Sequence, residues 1–161
     1  MALIEQRLEQ LGLSLPAQIQ PPPGVHLPFA FVQQHGARVL ISGHGPLNPD
    51  GTLAQPLGKV GRDLTVAQGY EAAQRTGLAI LASLQRALGD LDRIKSWTRI
   101  FGMVNSAPGF HEHPAVINGF SQLILDLYGR DQGQHTRSAV GMAELPFNIP
   151  VEIEGEVLLY A

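Results

Sequence analysis

The chain has no cysteine among its 161 residues, so disulfides, thiol nucleophiles and thiolate metal sites are excluded together. Charge is scarce as well, at 16% of residues, where an average soluble domain carries roughly 25%. The eleven Lys and Arg never form a run and the net charge is −3. A basic footprint for nucleic acid is therefore missing, and no specific nucleic-acid partner is expected. No long apolar run is present either. The opening "MALIEQRLEQLGLSLP" mixes charged with apolar residues, which excludes a signal peptide and a membrane span, and a cytoplasmic protein without a membrane partner is expected. A small domain has much surface to keep wet, so this low charge content points to surface buried against other subunits.

What is present fits one domain over residues 1–161, with 1–24 as an N-terminal helix and proline-rich linker and 25–161 as the core. Over residues 2–12, Ile4, Leu8 and Leu11 share a helical face. "PAQIQPPPG" (16–24) enforces an extended linker. "FAFVQQ" and "ARVLISG" are β-rich runs around His35-Gly36, which reads as a hairpin, and Pro-Asp-Gly at 49–51 is a turn signal.

Thr65 and Gln68 form a capping box that opens a long helix, with Val66, Tyr70, Ala73, Gly77, Ile80, Leu84 and Leu88 at helical spacing and Gly89 at the C-cap position. "RIKSWTRIFGMV" (93–104) reads as a strand and "NSAPGFHEH" as a loop. Pro114 starts a second helix whose buried side carries Val116, Ile117, Phe120, Leu123, Ile124 and Leu127, with Gly129 after its end. The order ββ-α-β-α-ββ predicts an α/β (α+β) layered sandwich, a mixed sheet with both long helices on one face. No element is left for the other face, so oligomerisation through it is expected.

Among candidate sites, His111-Glu112-His113 lies in a loop without a third ligand at a telling spacing, and no metal site is expected. Gly-x-Gly in "SGHGPLNPDG" lacks the helix start and Lys of a phosphate loop. Ser42 and Ser138 lack the signature of an activated nucleophile. The last stretch, "TRSAVGMAELPFNIPVEIEGEV", is more informative. In its first strand Arg137, Ala139 and Gly141 share a face; in its last, Glu152, Glu154 and Glu156 do. A hairpin register setting Arg137 against Glu156 sets Gly141 against Glu152, with all of them on one side. Two readings then stand: a ligand trough between Arg137 and Glu152 over a floor of small residues, or a solvated face with an Arg–Glu cross-strand pair.

"RSAVGMAELP…VEIEGEV" resembles the C-terminal signature of the Rid (YjgF-like) reactive-intermediate deaminase family: Arg-Ser, Leu-Pro and a Glu-rich final strand. "VLISGHGPLNPDG" and "GDLDRIKSWTRIFGMVNSAPGF" resemble its early strand and turn and its middle strand and loop. The resemblance runs from about Phe29 to Val157 in the family's order. It implies a chorismate-mutase-like fold assembled as a homotrimer, with sheets facing inward and three clefts between subunits. It further implies hydrolysis of small enamine or imine acids, such as 2-aminoacrylate shed by pyridoxal-phosphate enzymes, to 2-keto acids and ammonia, as a 2-iminopropanoate or 2-iminobutanoate deaminase does. No metal or bound cofactor is implied. The partners implied are a small imino or 2-keto acid and two further copies of the chain.

By the same resemblance the carboxylate-binding Arg falls on Arg137 and the Glu associated with the attacking water on Glu152. The Ser-Gly serine falls on Ser42, and a backbone amide contact on Ala139. Departures are Phe29 for a Tyr at the cleft mouth, His44 for the usual Gln, and Ala139 where many members have Cys. The N-terminal helix and the "NSAPGF" loop mark a longer subgroup. Two alternatives accompany this reading: a non-catalytic trimer that binds small carboxylates, and an endoribonuclease, against which the missing basic groove speaks.

Overall fold

A computed structural model describes residues 3–161. Its elements are α1 (Leu3–Gln10), β1 (Val32–His35), β2 (Arg38–His44), α2 (Val66–Leu88), β3 (Ile94–Asn105), α3 (His113–Gly133), β4 (Thr136–Met142) and β5 (Val151–Leu159). The expected helix start at residue 2 lies outside the described residues. The ββ-α-β-α-ββ order is therefore present, in a mixed α+β fold built on one five-stranded sheet.

Local chemistry accounts for the element ends. The Thr65 side chain accepts from the Gln68 amide at 3.2 Å while the Gln68 side chain accepts from the Thr65 amide at 2.9 Å, a closed capping box. Gly89 ends α2 in the left-handed region at φ 80. Gly129, at φ 70, breaks the regular run of α3, and the chain makes one more turn to Gly133. Leu11 leaves the face assigned to it. It lies just past the end of α1 and is 48% exposed, while Ile4 and Leu8 are buried. The Asp92 carboxylate receives the Leu3 and Ile4 amides at 2.7 and 3.0 Å, which fixes the start of α1 on the body.

Strand order across the sheet is β1-β2-β5-β3-β4. β3 and β4 are parallel, joined through α3 in the crossover that parallel neighbours require; the other pairs are antiparallel. This corrects the expected terminal hairpin. β4 and β5 are both strands, but β3 stands between them and they share no register. The eight-residue link 143–150 is too long for a tight hairpin, and it packs Leu145 and Ile149 on Met103 as it carries the chain past β3.

Both long helices cover one face. Trp97, Ile100, Ile153 and Val157 from the sheet meet Ile80, Leu84, Ile117, Phe120 and Leu127 from the helices, all at most 1% exposed. The helices touch backbone to backbone: a Cβ on Gly119 would fall 2.0 Å from the Tyr70 carbonyl oxygen. The opposite face carries Leu40 of β2, Phe101 of β3 and Glu154 and Glu156 of β5, and no helix among the described residues covers it.

Candidate active site and its relatives

The corrected sheet order turns Arg137 away from the glutamates. Arg137 pairs with Ile100, whose side chain is buried under the helices, and it follows Ile100 to that face. Its guanidinium donates to Ser121 Oγ of α3 at 2.9 Å and to the Pro114 carbonyl at 3.3 Å. Glu152 alternates with Val151 and Ile153, which are fully buried on the helix side, so it projects from the open face. The two residues lie two strands and about three residues apart, ~14 Å between α-carbons, on opposite sides of the sheet. The single-sided trough expected from a hairpin register is thus absent within one chain.

Why β4 carries small residues is now answerable. A Cβ on Gly141 would sit 2.6 Å from His113 Nε2 and 2.9 Å from Ser106 Oγ. Those two groups are themselves hydrogen-bonded at 2.6 Å. Gly141 makes room for this pair at the start of α3, and Ala139 packs against the main core. His113, read from the sequence as a loop residue, therefore belongs to the surroundings of β4; His111 is exposed.

Arg137 is the end of a polarised chain. His135 Nδ1 lies 2.7 Å from the Gly133 carbonyl, which can only accept, so that nitrogen carries the hydrogen. Nε2 then accepts from the Ser121 hydroxyl at 2.9 Å, and Ser121 Oγ is left to accept from Arg137. Burial, and to a lesser degree the Arg137 charge, holds the imidazole below its ordinary value, which agrees with a neutral ring. Burial also lowers the Arg137 guanidinium. Among the described residues no carboxylate pairs with Arg137. It is a cation held in place by neutral groups only.

Glu152 is half-buried between β2 and β3. Its carboxylate lies over Gly43, where a Cβ would come within 2.8 Å of Oε2, so a side chain there would displace the carboxylate. Burial pushes the carboxyl up, and the neighbouring Glu154 adds to the rise. Ser42 donates its hydroxyl proton to the Ala30 carbonyl at 2.7 Å. Phe29 is 51% exposed and meets Phe31 edge-on at 5.1 Å. The structure thus sets Ser42, Gly43 and Glu152 on the paired strands β2 and β5, with Phe29 near Gly43, and leaves Arg137 and Ala139 on the edge strand β4. Ser121, His135, Ser106 and His113 carry no local sequence signal, because each depends on a partner 7 to 16 residues away.

Comparison with known proteins agrees with this architecture. The family model described as "YjgF/chorismate mutase-like, putative endoribonuclease" matches residues 5–154. Protein TCP17 of Trypanosoma cruzi is 38% identical over 156 residues, covering 97% of this chain and 94% of that protein. The crystal structure of Atu1372 from Agrobacterium tumefaciens superposes with a TM-score of 0.86 at 40% identity, over 98% of this chain and 94% of the other. A Shewanella oneidensis MR-1 protein described as a putative endoribonuclease gives 0.85 at 31% identity, over 97% and 99%. With its five-stranded mixed sheet, two covering helices and a family match over nearly its whole length, the chain belongs to the YjgF/chorismate mutase-like family.

Proposed function

We propose that the protein hydrolyses small 2-imino and enamine acids to 2-keto acids and ammonia, in clefts between the subunits of a homotrimer. The observation that carries this reading is an unpaired, pre-oriented guanidinium at Arg137 together with a half-buried carboxylate at Glu152 whose proton affinity is raised. The two sit on opposite faces of one sheet. A cleft that uses both therefore needs the edge strand of one copy beside the open face of another, which is why the site is assigned to a subunit boundary.

In such a cleft each group has a defined task. Arg137 offers its remaining N–H donors as a fork to the substrate carboxylate, and the Ser121–His135 chain keeps the fork from turning. Glu152 accepts a proton from water as the water oxygen bonds to the imine carbon; its raised proton affinity brings it nearer to the working range of a general base. The nitrogen takes up a proton, and the resulting amino alcohol expels ammonia to leave the 2-keto acid. Ser42 has committed its own proton to Ala30, so toward substrate it acts as an acceptor, matched to an imine N–H. Ala139 would add a main-chain amide, and Phe29 an apolar wall. RNA cleavage is less well supported, because Arg38, Arg62 and Arg75 are each paired with a carboxylate.

The test is ammonia release from 2-aminoacrylate generated in situ by a pyridoxal-phosphate enzyme. Release well above the spontaneous rate is expected. Glu152→Gln should remove the acceleration while 2-keto acid binding persists, and Arg137→Lys should weaken that binding roughly ten- to a hundredfold. Binding without any acceleration by the unaltered protein would instead make it a carboxylate binder.

A further inference from the structure

A second arrangement of the same kind lies at the other end of the sheet. His44 is 6% exposed at the end of β2. Its Nδ1 donates to the Ser42 carbonyl at 2.6 Å, and its Nε2 accepts from the Ser83 hydroxyl of α2 at 2.9 Å. Ser83 Oγ in turn accepts from Arg86 Nη2 at 3.1 Å. The Ser42 carbonyl can only accept, so Nδ1 carries the hydrogen, and in a neutral ring Nε2 is then the acceptor. Desolvation agrees, lowering its value to about 4. Arg86 forms no ion pair among the described residues, and burial lowers its guanidinium without an opposing acid.

These groups line a pocket of about 400 Å³ with Ile19, Phe29 and Phe31. That volume is in the range of small-molecule sites, which are mostly apolar with a few convergent polar groups. Its rings form a continuous wall: Phe31 is 5.0 Å from the His44 ring and 5.1 Å from Phe29. The opposing wall comes from the linker, which is fastened rather than draped. Ala17 and Gln20 amides bond the Pro49 and Gly51 carbonyls at 2.9 and 2.8 Å. Gly51, at φ 86, lets the linker come so close that a Cβ there would be 2.2 Å from the Gln18 carbonyl.

We propose that this pocket binds a small monocarboxylate with a flat or branched apolar body, an aryl or branched-alkyl acid, with Arg86 as its counter-charge. The apolar lining and three rings call for an apolar body. The planar guanidinium calls for a carboxylate, which it can engage through two parallel hydrogen bonds. A singly charged ligand follows because His44 is neutral and both its nitrogens are occupied, so among the described residues Arg86 is the one cation that lines the pocket. The site uses neither Arg137 nor Glu152 and shares only Phe29 and Gly43 with the proposed cleft, so its charged contact through Arg86 stands apart from the imine reaction.

Calorimetry of the full chain with 3-phenylpropanoate, its neutral amide and inorganic phosphate tests this. Binding of the acid at one per chain is expected, with the amide at least tenfold weaker and phosphate not competing. Arg86→Gln, at an exposed position in the last turn of α2, should weaken the acid ten- to a hundredfold and leave the amide unchanged. Ala87→Trp should abolish both by filling the pocket, and Arg137→Lys should leave the acid within twofold. Equal binding of acid and amide, no binding at millimolar concentration, or loss through Arg137→Lys with Arg86→Gln intact would each overturn the proposal.

Discussion

The two faces of the sheet are made by the same strands and differ in nearly everything else. Under the helices, alternate residues of β3 and β5 bury Trp97, Ile100, Ile153 and Val157 to at most 1% exposure. On the reverse, Leu40 of β2 is 40% exposed, with Arg99 and Phe101 of β3 and Glu154 and Glu156 of β5 around an open hollow. The covered face holds the fold together. The open face contributes little to one chain, and its exposed apolar groups are where the proposed trimer would bury surface.

The sharpest way to break this comparison is to empty the covered face. Trp97→Ala should cost about 3–5 kcal/mol in urea unfolding, since its ring fills the gap between Phe120 and Tyr128. A loss under 1 kcal/mol would mean that the core does not depend on this layer.

Acid should act on the covered face next. His44 is held at about 4 against an ordinary 6.5, so between those values the unfolded chain binds its proton more readily than the folded one. The stability it contributes is full above about pH 6.5 and falls as the pH drops toward 4, by up to about 3 kcal/mol. His44→Gln should flatten the pH dependence of the unfolding midpoint in that window.

On the open face, Leu40→Asp should change the unfolding free energy of one chain by about 0.5 kcal/mol or less, yet, if the proposed trimer forms through this face, light scattering should find the 17.4 kDa monomer in its place. An unchanged trimeric mass would move the interface elsewhere. Glu152 runs opposite to His44. Its carboxyl is raised, so the folded chain holds that proton better, and the group weakens the fold as the pH rises through its elevated value. Glu152→Gln should therefore make the protein slightly more stable at neutral pH than the unaltered chain. The smallest effect belongs to the exposed Arg38–Glu156 pair, where Arg38→Ala should leave the unfolding midpoint where it was.

Features that depend on neighbouring residues were readable from sequence. The Thr65–Gln68 box, the Gly89 cap, the His35-Gly36 hairpin and the shared face of Glu152, Glu154 and Glu156 all follow from spacing within a few residues. The β4–β5 pairing was misread for the complementary reason. Two strands close in sequence pair by default, and nothing in residues 136–157 records that β3, some forty residues earlier, takes the place between them. That one error turned Arg137 to the wrong face and made Gly141 a ligand floor instead of the space for His113. Arg137 and Glu152 stand out from strand alternation and take their roles from family resemblance; the serine and histidine that orient Arg137 come only from the fold.

β5 is the last strand in the sequence and the middle strand of the sheet. A ribosome delivers the chain in sequence order, so until β5 has emerged the strand pairs open to the chain are β1–β2 and β3–β4. Each of them shows the backbone edge that β5 will later occupy. Such edges are templates for pairing with other chains. A message cut short before codon 151 would thus leave two separate strand pairs and no five-stranded sheet, whereas loss of the first helix would leave all five strands free to pair.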